Sequence, residues 1–192
     1  MPLEGELVIL REEREADVAP QVSWRNDMDT QAWNLALPPD YTEPMVRSRF
    51  ESREFTFSRS DCRFVITLKG SGAAIGTISY TWLEPRFAAS IGLITDKSVW
   101  GTGAALDAQE VLLRFMFLEL GVRVVRLWTT SANPRAVGLA SKSGFQVSMR
   151  RREAAYKGGR LCDSLGPDLL RAEYFELHPG LVDELPPGSL QS

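Results

Sequence analysis

The residues of this chain best placed to do chemistry are Trp100-Gly101-Thr102-Gly103-Ala104-Ala105, which stand between a strand-like run and a strongly apolar helical one. Two glycines let the backbone turn tightly and bring its N–H groups close to an anion. The helix that follows adds unpaired N–H groups and a partial positive charge at its N-terminus. Together these describe a cradle for a pyrophosphate that needs no lysine; a purely structural turn would carry the same letters. No Gly-Lys-Ser/Thr follows, so the segment is not a P-loop. The third glycine of a dinucleotide fingerprint is absent, and antiparallel-looking strands precede the loop where a βαβ repeat would be needed.

Other reactive types are sparse. Cys62 and Cys162 lie far apart and fit no metal or redox spacing, so two reduced, mostly buried thiols are expected. The single histidine, His178, beside Pro179, cannot build a zinc site, and no metal is expected. A net charge of −3 and a pI near 5.3 argue against a nucleic-acid partner. The basic run Arg150-Arg151-Arg152 reads as a solvated strand edge; facing a cleft, it would favour an acidic or phosphorylated acceptor. No apolar run reaches bilayer length, and the N-terminus lacks the basic-then-apolar order of a signal peptide. The expectation is a cytoplasmic protein with no membrane partner.

The elements that must position the loop follow from hydrophobic period and punctuation. Leu7–Leu10 reads as a buried strand, and Asp17 as the cap of a helix reaching Trp24. Thr42 and Pro44 open a second helix to about Arg59, with Met45, Phe50 and Phe57 inward. Strands are expected at Arg63–Leu68, Ala74–Leu83 and Ala88–Thr95, turning at Lys69–Gly72 and Glu84–Arg86. Ala104–Leu120 is apolar on more than half its circumference, so that helix is covered on several sides; Gly121 ends it. A strand at Val122–Thr130 is followed by a helix capped by Asn133-Pro134 and closed by Gly144. Gln146–Tyr156 and Leu169–Leu177 read as two last strands. Residues 1–177 form one domain and 178–192 an irregular tail.

With this order in hand, the chain resembles the GNAT superfamily of N-acetyltransferases. Ile91-Gly92-Leu93-Ile94-Thr95-Asp96, then Trp100-Gly101-Thr102-Gly103, Asn133 and Gly144-Phe145 look like the family signature in its usual succession. Trp24-Arg25-Asn26-Asp27, and Gly159 with Asp163, are similar to the RimJ/RimL-like branch, which acetylates ribosomal-protein N-termini. The match runs from Leu7 to Phe175. It implies an α/β (α+β) fold: a mixed, mostly antiparallel sheet of about seven strands, splayed between its fourth and fifth, with about four flanking helices.

The resemblance also implies roles. Backbone N–H groups of Trp100, Gly101, Thr102, Gly103, Ala104 and Ala105 would hold the pyrophosphate of acetyl-CoA. The pantetheine arm would lie along Ile91–Thr95 as an added strand. An N–H near Leu93 or Ile94 would polarise the thioester carbonyl, Thr95 would continue that wall, and Asn133 would meet the coenzyme arm as well as cap its helix.

The chain also departs from the family pattern. Ser90 stands where many relatives carry glutamate, Ala140 where many carry a tyrosine acid, and Ala136 where the branch has serine. Glu84, Tyr80 and Asp163 are left as stand-ins near the acceptor, and Ser141 as a donor to the thiolate; water-mediated deprotonation without a single base is also open. Trp24, Trp33, Tyr41 and Trp82 are candidate acceptor-pocket walls. Pro167 interrupts the expected last strand, which should be an edge or bulged piece. The expected function is transfer of an acetyl group to a primary amine, small molecule or protein N-terminus; the alternative is a non-catalytic acyl-CoA-binding module. Relatives often pair, so a homodimer is open.

Overall fold

A computed structural model describes residues 3–31, 40–51, 61–85 and 87–184. Strands β1 (Leu3–Glu4) and β2 (Val8–Arg11) lead into helices α1 (Val18–Asn26), α2 (Met28–Gln31) and α3 (Glu43–Glu51). A meander follows: β3 (Asp61–Leu68), β4 (Ala74–Glu84) and β5 (Ala88–Thr95). Then come α4 (Ala104–Leu118), β6 (Val124–Arg126), β7 (Thr129–Thr130) and α5 (Pro134–Lys142). A hairpin of β8 (Gln146–Lys157) and β9 (Arg160–Leu170) precedes α6 (Arg171–Leu177).

The meander forms where β-branched and aromatic residues concentrate. Gly72, at φ 69°, makes its first turn, donating to the Leu68 carbonyl at 2.8 Å. The strands make one mixed sheet in the order β1-β2-β3-β4-β5-β6-β9-β7, with β8 on the other side of β9. Among the described residues only β5 and β6 pair in parallel; the other pairings are antiparallel.

The apolar stripe of α4 decides which face is the main core. Leu112, Leu113, Met116 and Phe117 are fully buried and cluster with Leu10, Ile66 and Ile78 from the sheet and Tyr174 from α6. Each such side chain stabilises the fold by about 2 kcal/mol. The opposite sheet face carries Val65 and is covered by α1, which buries Val18 and Trp24 and packs against Val46 of α3.

Several local readings are corrected. The inward residue of α3 is Val46, not Met45, which is 46% exposed; the helix is turned by one position. Phe50, Phe57 and Trp33 lie outside the residues whose side chains are described. Asp17 stands at the start of α1, but its carboxylate makes no cap bond to that helix. Val122–Thr130 is broken at Leu127–Trp128: the Leu127 amide keeps the register by donating to the Pro167 carbonyl at 3.0 Å, but Pro167 has no N–H to return the bond. The last strand is β9, and 171–177 is helical: Glu173 accepts the Leu170 amide at 2.9 Å, and the turn delivers Tyr174 and Phe175 together into the core. Pro167 sits in a strand flanked on both sides, and the irregularity falls opposite it, between Val147 and Met149. Beyond His178, Pro179–Glu184 forms a 3-10 segment whose Leu181 and Val182 pack on the core.

Candidate functional site

The cleft begins where the parallel ladder ends. Ala88–Ser90 pair with Val124–Arg126, and no further. Beyond Arg126 the chain leaves β5, and Thr129 and Thr130 pair instead with Leu165 and Ser164 of β9. The rest of β5, from Ile91 to Thr95, therefore faces an opening in the sheet.

At the foot of the opening lies the glycine loop. Asp96 accepts the Ser98 amide at 2.8 Å and starts a tight turn, and the Thr102 hydroxyl donates to the Val99 carbonyl at 2.8 Å. Gly101 and Gly103 have φ of 80° and 92°, left-handed values that cost a side-chain-bearing residue about 1–2 kcal/mol. Gly103 brings no side chain to cap α4; the Ala104 amide donates to the Thr102 hydroxyl at 3.4 Å, and the other first-turn N–H groups and the positive end of the helix are presented to the cleft. Asp107, in that first turn, points away from the cleft. It accepts the amides of Glu6, Leu7 and Val8 at 3.0, 2.7 and 2.9 Å, tying α4 to the turn between β1 and β2.

A cavity of about 490 Å³ occupies the opening. Leu93, Ile94 and Thr95 form one wall, with Thr30 of α2 beside them. Trp100, Gly101, Gly103, Ala105 and Leu106 form the floor, and α5 supplies the far wall, from Asn133 to Lys142. Eight of the expected coenzyme residues thus meet in one place: Leu93, Ile94, Thr95, Trp100, Gly101, Gly103, Ala105 and Asn133. Thr102 is exposed with its hydroxyl on the Val99 carbonyl, and Ala104 is 1% exposed in the core; neither side chain lines the space. Asn133 accepts the Ala136 amide at 3.1 Å, so it caps α5 and borders the cavity at once.

Arg135 and Lys142 were missed. Both line the cavity, and the Arg135 guanidinium lies 3.5 Å over the centre of the Trp100 ring, a cation–π contact that braces wall against floor. Their signal was available: counted from the Asn133 cap, Arg135, Gly138, Leu139 and Lys142 share one helix face.

The residues expected to move protons are not brought together. Glu84 is exposed at the end of β4, opposite Ala88, about 17 Å along the strand from Leu93. Ser141 is on the exposed side of α5, between cavity residues but not among them. Asp163 accepts the Glu153 amide at 2.9 Å and Arg150 Nε at 2.5 Å. Those two contacts, the amide first, hold its carboxyl below the usual range, and it closes the bulge where Glu153 adopts φ 51°. Tyr80 and Trp82 meet edge to face against the main core, Trp24 is 5% exposed, and Tyr41 is half-buried beside Arg25; none of these lines the cavity. Arg150, Arg151 and Arg152 are exposed along β8. Cys62 and Cys162 are free and half-buried. Among the described residues there is no group of three or more His, Cys, Asp or Glu that could hold a metal ion, and no helix is long and apolar enough to cross a membrane.

A mixed sheet that opens beside a glycine-led helix N-terminus is the architecture of an acetyltransferase domain. The chain belongs to the GNAT acetyltransferase family: the family model described as an acetyltransferase (GNAT) domain matches residues 8–146. A curated relative, the uncharacterized N-acetyltransferase p20 of Bacillus licheniformis, is 27% identical over 113 residues. That match covers 58% of this chain and 64% of the relative, so the chain spans a little under two thirds of it. Among solved structures, a GNAT-family acetyltransferase from Bacillus anthracis superposes with a TM-score of 0.75 at 16% identity, over 90% of this chain and 99% of that one. The spermidine N-acetyltransferase of Vibrio cholerae, solved with CoA and spermine, superposes with a TM-score of 0.77 at 19% identity, over 88% and 98%. At these identities the structures show a shared fold.

Proposed function

We propose that the protein is an acetyl-CoA-dependent N-acetyltransferase of the cytoplasm that acetylates a small primary amine by direct transfer. The observation that carries this reading is the cavity itself, a sheet opening floored by a glycine-led helix N-terminus and two left-handed glycines. Amides of the loop and the first turn of α4 suit a pyrophosphate, and Arg135 and Lys142 add two cations to the same wall. The unpaired edge of β5 from Ile91 onward suits an amide-bearing arm, and an N–H at Leu93 or Ile94 suits the oxygen of a thioester.

In the step so arranged, the neutral amine attacks the thioester carbon, the C–N bond forms, the C–S bond breaks, the thiolate departs with the electron pair, and the extra proton on the new amide nitrogen passes to that thiolate or to water. The amine must first lose a proton. Glu84, Ser141 and Asp163 are occupied or turned elsewhere, so that proton goes to water in the open cleft. The leaving thiol, with an ordinary pKa of about 8.5, needs no dedicated acid. The RimJ/RimL-like branch rests on the Trp24–Asp27 motif, whose last residue reaches Lys97 next to the glycine loop. Asp27 and Asp29 hold Lys97 at 2.8 and 3.3 Å there.

A second reading, a coenzyme-binding module without turnover, is favoured by the same placement of Glu84, Ser141 and Asp163. Calorimetric titration with acetyl-CoA, followed by thiol release over an amine panel, separates the two. Gly101→Val and Gly103→Val should each weaken acetyl-CoA binding by more than about tenfold while the proteins stay folded. Unchanged affinity in either folded variant would remove the cradle and both readings with it.

A further inference from the structure

Two arginines, one buried and one half-buried, lie on the sheet face that α1 covers. Arg25, in the last turn of α1, is 9% exposed, and its guanidinium lies 5.0 Å from the centre of the Tyr41 ring. Tyr41 is held there by Asn26, whose side chain bonds both its amide and its carbonyl at 2.9 and 2.8 Å. Arg63 is half-buried on β3. Burial first, and for Arg25 the nearby Arg63 second, depress the proton affinity of both guanidiniums, and Tyr41 favours the charge on each. A sequestered arginine ordinarily sits on a carboxylate. Among the described residues none bridges Arg63; Asp61, exposed at the outer end of the strand, acts on it only through space.

The register says what Arg63 overlooks. Arg63 pairs with Ser79 and Ser79 with Gly92, so the three share one face. Gly92 is exposed, and a side chain built on it would meet only the Ser79 hydroxyl, at 3.4 Å. Gly92 thus leaves an open spot on β5, two strand spacings or about 10 Å from Arg63. That spot adjoins Leu93 and Ile94, which wall the coenzyme cavity.

We propose that Arg63, with Arg25 behind it, is the anion-recognising end of the acceptor groove, and that the acceptor is a primary amine carrying a carboxylate or a phosphate. The inference rests on the acetyltransferase reading and specifies its substrate class. The acceptor lies over Gly92 with its amine toward the open edge of β5 and its oxyanion on the arginine fork, where two parallel N–H···O bonds can form. The same charges repel a polycation such as a polyamine.

The test is steady-state thiol release with four acceptors: 4-aminobutyrate, phosphoethanolamine, butylamine and spermidine. The better of the two anionic amines should have a KM about ten- to a hundredfold below that of butylamine; which one wins identifies the oxyanion, and spermidine should be poorest. Arg63→Met should abolish the preference and leave the KM for acetyl-CoA unchanged; if that variant does not fold, Arg63→Lys, which keeps the charge without the fork, takes its place. Equal use of butylamine or spermidine, or a preference that survives the substitution, overturns the proposal. If no amine is turned over, the acyl-transfer reading has failed separately. The same four amines are then titrated calorimetrically into the CoA-bound protein. Anion-selective binding that Arg63→Met removes upholds the subsite, and unselective or absent binding overturns it.

Discussion

Glu110 shows how much a single side chain can carry unseen in a sequence. It is borne on α4, and burial raises the pKa of its carboxyl; Ser143 and the His178 ring, 3.6 Å away, pull the other way. Ser143 lies close without closing a hydrogen bond of ordinary geometry, and both its hydroxyl and Glu110 Oε2 are buried without one. A carboxyl whose folded pKa is raised costs stability when ionised; that cost grows as pH climbs past the unfolded carboxyl range and vanishes below it. Glu110→Gln should therefore raise the melting temperature at pH 8 and leave it unchanged near pH 4, as thermal denaturation at the two pH values will show. Nothing in the sequence marks Glu110, because Ser143 and His178 arrive from 33 and 68 positions away. Gly101, Gly103 and Asn133 were legible because what selects them is local: backbone angles and a helix cap. Arg25 and Arg63 were not, since only strand register and the fold of α1 bring them to one face.

At the scale of elements, the link between β2 and α1 rests on one ion pair. Arg11 donates both guanidinium nitrogens to Asp17 at 2.7 Å, and the Arg14 amide donates to it at 2.8 Å. Burial alone would push the Asp17 carboxyl up; the Arg11 fork and the Arg14 amide outweigh it, and the net shift is downward. The stabilisation is thus present above the unfolded carboxyl range and is lost as pH falls through the depressed folded value. Asp17→Asn should cost about 3 kcal/mol in a urea titration at pH 7, with the gap to the parent protein closing in strong acid. The sequence marked Asp17 as a terminus but could not say that its partner is a strand. The same limit explains α6: seven residues carry too little periodicity to separate a helix from a strand, and only the demand for Tyr174 and Phe175 in the core decides. The long runs, β3 to β5 and α4, were readable because their pattern repeats several times over.

The order of elements was enough to give the fold class, and the two-residue strands β1 and β7 account for a sheet of nine strands among the described residues where about seven were expected. Closure of the core depends on the C-terminal helix. The Tyr174 ring stacks on Phe117 at 4.7 Å and meets Phe175 edge to face at 5.6 Å. Tyr174→Ala should cost about 4 kcal/mol, shifting a single cooperative transition read by both fluorescence and circular dichroism; two separated transitions would mean that α6 and α4 do not share one core. The Asp107 clamp has a consequence of another kind. Because one carboxylate gathers three amides of the β1–β2 turn, and Leu7 rests against Gly103, the start of the chain is wired to the floor of the cleft without entering it. A fluorophore attached at position 6 would sit within a helical turn of the glycine loop, leave the cavity clear, and turn occupancy of the cleft into a change of light.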